Sequence, residues 1–191
     1  MIPRPRLMLT LSTFILAFLL AACGTSAGAL QDASHDWQRG QRGQRARART
    51  WAHAELARFE EGNDLADAAL DAALQAATTR LAADLPLVAD GDHSPNTPRD
   101  AGDGDILRAL HADLLSPGAT RVLRAIRTVR ALALAAFGPE LLAIVANRAP
   151  YTVDGPLLRD ATPALRSVAV KRYAVEALDA LDSPVAPAPG R

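Results

Sequence analysis

Apolar residues recur at steps of three and four along this chain of 191 residues, and this spacing limits the possible folds most strongly. Such spacing places side chains on one face of an α-helix. Two stripes are clear in the second half of the chain: Val122, Ile126, Val129, Ala133 and Ala136, and then Val170, Ala174, Ala177, Leu178 and Leu181. No segment alternates apolar and polar residues over the length of a strand. We therefore predict an all-α fold, a single domain of about five to six helices.

The ends of these helices can be predicted from capping residues, proline and glycine. Ser116-Pro117 and Thr162-Pro163 each place a hydroxyl at the N-cap and a proline at the first helical position. Gly138-Pro139 ends one helix and begins another, and Asp103 or Asp105 can cap a short helix before them. The predicted helices span approximately 45–61, 64–85, 105–115, 117–137, 139–148 and 163–182.

Alanine supplies 41 of the 191 residues, and Lys171 is the only lysine beside many arginines. Alanine favours helices but buries little apolar area. We therefore expect closely packed helices around a thin core that a partner could complete.

The N-terminus has the pattern of an export signal. Arg4 and Arg6 precede an apolar run over 7–22, which is shorter than the roughly 18 to 20 residues of a membrane-spanning helix. The run ends in Leu20-Ala21-Ala22-Cys23, which resembles the lipobox of bacterial lipoproteins. The resemblance implies that Cys23 is lipidated on its sulfur, that residues 1–22 are removed as the signal peptide, and that the chain is held by acyl chains in a membrane.

Two alternatives for this segment are an uncleaved anchor and an ordinary secretory signal. Cys23 is the only cysteine, so an internal disulfide cannot explain it. Gly24 follows it, whereas an Asp at that position resembles the signal for retention in the inner membrane. We therefore expect a lipid-anchored protein of the bacterial cell envelope, on the outer membrane facing the periplasm rather than on the inner membrane.

Composition divides the mature chain into segments. Gly, Ser and Gln predominate after Cys23, which predicts a lipidated flexible tether over 23–44. The predicted helical domain covers 45–182, and a Pro-rich, disordered tail follows at 183–191. Within the domain we expect a helical hairpin over 45–85, a polar loop over 86–104 and a helical half over 105–182.

Charge is uneven along the chain although the formal net charge is zero. The absence of a basic excess argues against nucleic acid as a partner. A cluster of arginines could lie on anionic lipid or simply be solvated: Arg39, Arg42, Arg45, Arg47 and Arg49. A second set, spaced by three, could pair with the acidic hairpin or with an acidic partner: Arg121, Arg124, Arg127 and Arg130.

No recognised catalytic motif occurs in the chain, and we predict no catalytic residues, cofactor or metal. The histidines lie far apart and are expected at the surface: His35, His53, His93 and His111. The acids of the polar loop could supply oxygen ligands to calcium, but they equally suit solvated and capping roles: Asp90, Asp92, Asp100, Asp103 and Asp105.

These features together predict a non-enzymatic helical binding or assembly protein of the cell envelope. Its expected partners are membrane lipid, through the acylated Cys23, and a protein. One alternative is an accessory lipoprotein of a secretion or pilus system, similar to pilotins in layout. A second alternative is a cell-wall hydrolase that uses the acidic loop.

Overall fold

The computed structural model describes residues 27–63, 71, 72, 75, 76, 79, 103–155 and 157–182. Helices are the only regular secondary structure in these ranges, apart from one isolated parallel bridge between Gly118 and Thr152. The all-α prediction is confirmed.

Apart from the residues among 71–79, the described chain forms six helices and one 3₁₀ turn. Helix α1 covers 27–38. The others are α2 (Arg42–Glu61), α3 (Asp103–Leu114), α4 (Ala119–Ala131), a 3₁₀ turn (Ala135–Phe137), α5 (Gly138–Ala146) and α6 (Pro163–Asp182). The described residues among 71–79 are also helical, within the predicted second helix of the hairpin.

Helix α6 is the centre of the fold, since it packs against α2, α4 and α5. Its bounds agree with the predicted 163–182, and the hydroxyl of Thr162 accepts a hydrogen bond from the Leu165 amide at 3.2 Å, as an N-cap does. Four residues of its predicted stripe are buried: Val170, Ala174, Ala177 and Leu178. Many of its buried side chains are small, so the neighbouring helices approach it closely on several sides. The helix is therefore buried around most of its circumference although it contributes few aromatic side chains.

Helix α1 replaces most of the predicted tether. Its Trp37 is only 1% exposed, and the indole N–H donates a hydrogen bond to the Ala135 carbonyl oxygen at 2.8 Å. The ring lies so close to Gly138 that an added Cβ there would be 1.8 Å from Nε1. Asp36 also pairs with Arg47 of α2 at 3.0 Å.

The prediction of a flexible tether over 23–44 is therefore wrong in its described part. The folded domain includes residues from 27 onward instead of beginning at 45. Leu30, Ala33 and Trp37 have helical spacing, and their packing against the core outweighs the polar composition around them. The signal 1–22, the lipidated Cys23, the tail 183–191 and most of the loop 86–104 lie outside the described residues.

Helix α4 ends at Ala131 instead of the predicted Phe137. The chain leaves the helix at Leu132, and Ala133 adopts a left-handed conformation with φ of 50° before the 3₁₀ turn. Val122, Ile126 and Val129 are buried as predicted, whereas the last two positions of the stripe, Ala133 and Ala136, are exposed. This turn presents the Ala135 carbonyl to Trp37, a contact between residues far apart in sequence.

The N-terminus of α4 is capped by a residue that follows it by 34 positions. Asp154 Oδ1 accepts a hydrogen bond from the Thr120 amide at 2.7 Å, and Oδ2 accepts one from the Arg121 amide at 3.2 Å. The hydroxyl of the predicted cap Ser116 instead accepts a hydrogen bond from the Gly118 amide, at 3.1 Å. A carboxylate at a helix N-terminus satisfies free amides and favours the helix dipole, so Asp154 ties its loop to α4.

Candidate functional site

An open groove of about 370 Å³ runs along α5, bordered by the start of α1 and the end of α3. We call it the α5 groove. Half of its lining comes from α5 and the residue that follows it: Glu140, Ala143, Ile144 and Ala146 of the helix, and then Asn147. The remainder comes from Leu30 of α1 and from Leu114, Leu115, Ser116 and Tyr151. The volume lies in the lower part of the range of roughly 300–1,000 Å³ that is usual for ligand sites.

The apolar part of the lining is unusually exposed at one point. Leu115 is 62% exposed, although Leu114 beside it is only 2% exposed. Helix α3 ends between these two residues, so that the chain directs one leucine into the core and leaves the next at the rim. Tyr151 is buried, and burial raises the pKa of its hydroxyl while a hydrogen bond with Asn147 lowers it.

Glu140 is the charged residue of the lining. One of its carboxylate oxygens, Oε1, lies 3.2 Å from Nδ1 of His111 on α3. The other oxygen, Oε2, is buried without a hydrogen-bond partner. Glu140 also lies in the first turn of α5, where the helix dipole favours a negative charge.

Lys171 of α6 supports the groove from behind. Its side chain is fully buried, and its ammonium group donates to the carbonyl oxygens of Ile144, Val145 and Asn147, at 3.4 Å for Ile144 and 2.5 Å for Asn147. Val145 is one of the last residues of α5, whose carbonyls lack helical partners, and the Ile144 carbonyl also accepts a hydrogen bond from the Asn147 amide at 3.3 Å. Two of the three residues also line the groove, so Lys171 fixes the position of that wall.

Other groups around Lys171 act on its charge. Its Nζ lies 4.6 Å from the centroid of the Phe59 ring, a cation–π contact. Burial, together with the charge of Arg148, lowers the pKa of Lys171 to about 8, and the charge of Glu55 acts in the opposite direction. Glu55 is itself buried and binds Arg148 as well as Arg58, whose Nη1 lies at 2.6 Å.

Most of the site residues predicted from the sequence do not line the α5 groove. Cys23, His93, Asp90, Asp92 and Asp100 lie outside the described residues, and the backbones of Asp103 and Asp105 form the start of α3. His35 is exposed on α1, and His53 Nε2 lies 3.0 Å from an oxygen of Asp179. In the part of the chain that the structure describes, no group of three histidine, cysteine or acidic side chains could hold a metal ion.

Several arginines of the two predicted clusters have partners within the fold. Arg47 pairs with Asp36, Arg49 with Asp182 at 2.8 Å, and the Arg45 guanidinium lies 5.3 Å from the centroid of the Trp37 ring. On α4, Arg130 pairs with Glu176 at 3.6 Å and Arg121 approaches Asp154 at 4.0 Å. The acidic hairpin instead meets arginines that the sequence reasoning did not select, since Arg172 binds both Glu60 and Asp71.

Sequence reasoning missed the groove itself. The predicted tether includes Leu30, and no sequence pattern marks Glu140, Leu115 and Tyr151 as parts of one surface. The spacing of Leu30, Ala33 and Trp37 by three and four was the available signal for α1. The meeting of α1, α3 and α5 depends on contacts between distant residues, which one sequence does not display.

The comparisons with known proteins add no family to this picture. No family model, no curated protein and no solved structure matches the chain. Among the described helices, none has both the length and the apolar character needed to cross a membrane.

Proposed function

We propose that this chain is a lipid-anchored, non-enzymatic binding protein of the bacterial envelope, which holds an apolar segment of a protein partner in the α5 groove. The single observation that carries the proposal is the open groove with Leu115 exposed at its rim. The lipobox at Leu20-Ala21-Ala22-Cys23 supports the anchor, and Gly24 favours the outer membrane facing the periplasm.

The chemistry of the lining supports binding of a protein segment. Most of the lining side chains are apolar, and the polar groups Glu140, Ser116 and Asn147 are few. Helices and extended peptides dock in such grooves through one or two apolar anchors, while a few polar groups fix their register. Leu115 would then pack against an anchor of the partner and lose its contact with water.

The experiment is photocrosslinking in living cells from a photoreactive residue at position 143 of the groove lining, combined with Leu115→Glu. We expect a protein adduct from position 143 and its loss when Leu115→Glu places a charge at the rim. Leu132→Glu is the matched control, because Leu132 is also an exposed leucine, 48% exposed, away from the groove lining. Equal adduct formation by the two variants, or none from the wild-type groove, would refute the proposed binding surface.

A further inference from the structure

The length of chain between the anchor and α1 restricts how the domain can sit. Cys23 and Ala27 are four residues apart, so their Cα atoms are separated by at most about 14 Å, whatever conformation the intervening residues adopt. A compact domain of about 150 residues has a radius of gyration near 15 Å and is roughly 40 Å across. The link is therefore much shorter than the domain.

The predicted tether over 23–44 would have allowed any orientation, since a flexible chain of about 20 residues has a typical end-to-end distance of roughly 25 Å and a far larger maximum. The structure removes that freedom. Trp37 and its contacts with Ala135 and Gly138 join α1 to the domain. With Cys23 lipidated, the N-terminal end of α1 lies within about 14 Å of the anchored residue.

The α5 groove lies at this same end of α1. Leu30 lines the groove and is one helical turn beyond Ala27, a rise of about 4.5 Å. At the other end of α1, Trp37 meets Gly138 of α5. The groove at Leu30 is thus within about 20 Å of the anchored residue.

The lining distinguishes a protein segment from bilayer lipid as the occupant. Glu140 and the buried side chain of Tyr151 lie among the apolar groups, and moving such polar groups into hydrocarbon without hydrogen-bond partners is costly. The groove therefore suits a position beside the headgroups, outside the acyl region. A partner that binds in the groove must therefore present its apolar segment at the level of the lipid headgroups.

We infer that the lipid anchor holds the α5 groove at the membrane surface, and that its occupant is an apolar juxtamembrane segment of a protein that is itself anchored in the same membrane. This inference rests on the proposed function, which supplies the lipidated Cys23 and the binding role of the groove. It adds the class of partner and the orientation in which the two meet.

The orientation can be measured by fluorescence quenching on vesicles of phosphatidylethanolamine and phosphatidylglycerol. Cys23 is the only cysteine and is blocked by lipid in the mature protein, so Leu115→Cys allows a single dye to be attached. Leu132→Cys is the control, because Leu132 lies near the Trp37 end of α1, three residues before Ala135. Both positions are exposed, so neither label should disturb the fold.

We expect headgroup nitroxides to quench the label at 115 at least twofold more than the label at 132. Insertion of a Gly/Ser linker of about 30 residues after Gly24 should abolish this difference. Equal quenching at the two positions with the natural link, or stronger quenching at 115 by nitroxides deep in the acyl chains than by those on headgroups, would overturn the inference.

A leucine-rich helical peptide is the probe for the occupant, used both free in solution and displayed on the vesicles by an acyl anchor. The displayed peptide should crosslink to position 115 several-fold more strongly than at the same total concentration in solution, through its higher effective concentration. Crosslinking of the free peptide alone would overturn the inference and leave the groove's binding role intact. Failure of both forms would count against the proposed function itself.

Discussion

Lys171 is a single residue that stabilises one wall of the α5 groove. It is the only lysine of the chain, it is fully buried, and it caps the end of α5. The sequence shows that it is the only lysine. The sequence does not show its role, because the carbonyls that it binds lie 24 to 27 residues earlier, at the end of another helix.

Lys171 should make the stability of the protein depend on pH. Its folded pKa is about 8 against an ordinary value of 10.5, so between these values the unfolded chain binds more protons and the free energy of unfolding rises with pH. We expect a gain of about 2 kcal/mol between pH 7 and pH 9.5. Burial raises the pKa of Tyr151 and of Tyr173, and they act in the opposite direction above about pH 10.

Urea unfolding of the wild type, Lys171→Met and Lys171→Arg at the two pH values measures this effect. The methionine variant has no proton to lose and the arginine variant stays charged, so both should lack the gain. An identical gain in the methionine variant would show that another group is responsible.

Local sequence signals predict the bounds of some helices, whereas contacts between distant residues determine the bounds of others. The stripes and the Thr162-Pro163 cap predicted α6 within its observed bounds, and the starts of α2 and α5 were close to their observed positions. The end of α4 was not, because the left-handed Ala133 follows it and stops the helix at Ala131. The start of α4 was close to its predicted position, but Asp154 from a later loop caps it instead of Ser116. Helix α1 was missed because its stability comes from packing on α5.

The cap on α4 can be tested with Asp154→Ala and Asp154→Asn. We expect the alanine variant to lose about 1–2 kcal/mol of unfolding free energy, because two amides at the helix start lose their acceptors. The asparagine variant keeps one side-chain oxygen and should lose less. Urea denaturation gives these values, with Asp160→Ala, exposed in the same loop, as a control expected to change stability by less than about 0.5 kcal/mol. Equal losses in Asp154→Ala and Asp160→Ala would contradict the capping role.

For the whole molecule, the sequence predicted the fold class and left the binding surface undetermined. Periodicity identifies which faces of helices are buried, as it did for Val122 and Val170, but not which helices meet. The groove arises where Leu30, Leu114 and Ile144 come together from three helices. The anchor remains a prediction from Leu20-Ala21-Ala22-Cys23.

Cys23→Ser tests the anchor independently of the domain. We expect loss of lipid labelling and of retention in the membrane fraction, because the serine oxygen cannot take the place of the modified thiol. The melting temperature of the helical domain should stay unchanged, since the packing of α1 begins beyond this residue. Fractionation and thermal unfolding monitored by circular dichroism give the two readouts. An unchanged membrane fraction would indicate an uncleaved anchor instead.

The seat of Trp37 against Gly138 has a consequence for evolution. While an indole occupies position 37, any side chain at position 138 would overlap it. Selection should therefore remove mutations of Gly138. A lineage that replaced the tryptophan by a smaller residue would free position 138 to vary. Homologues should therefore show correlated change at 37 and 138, which would record the attachment of α1 in sequence alone.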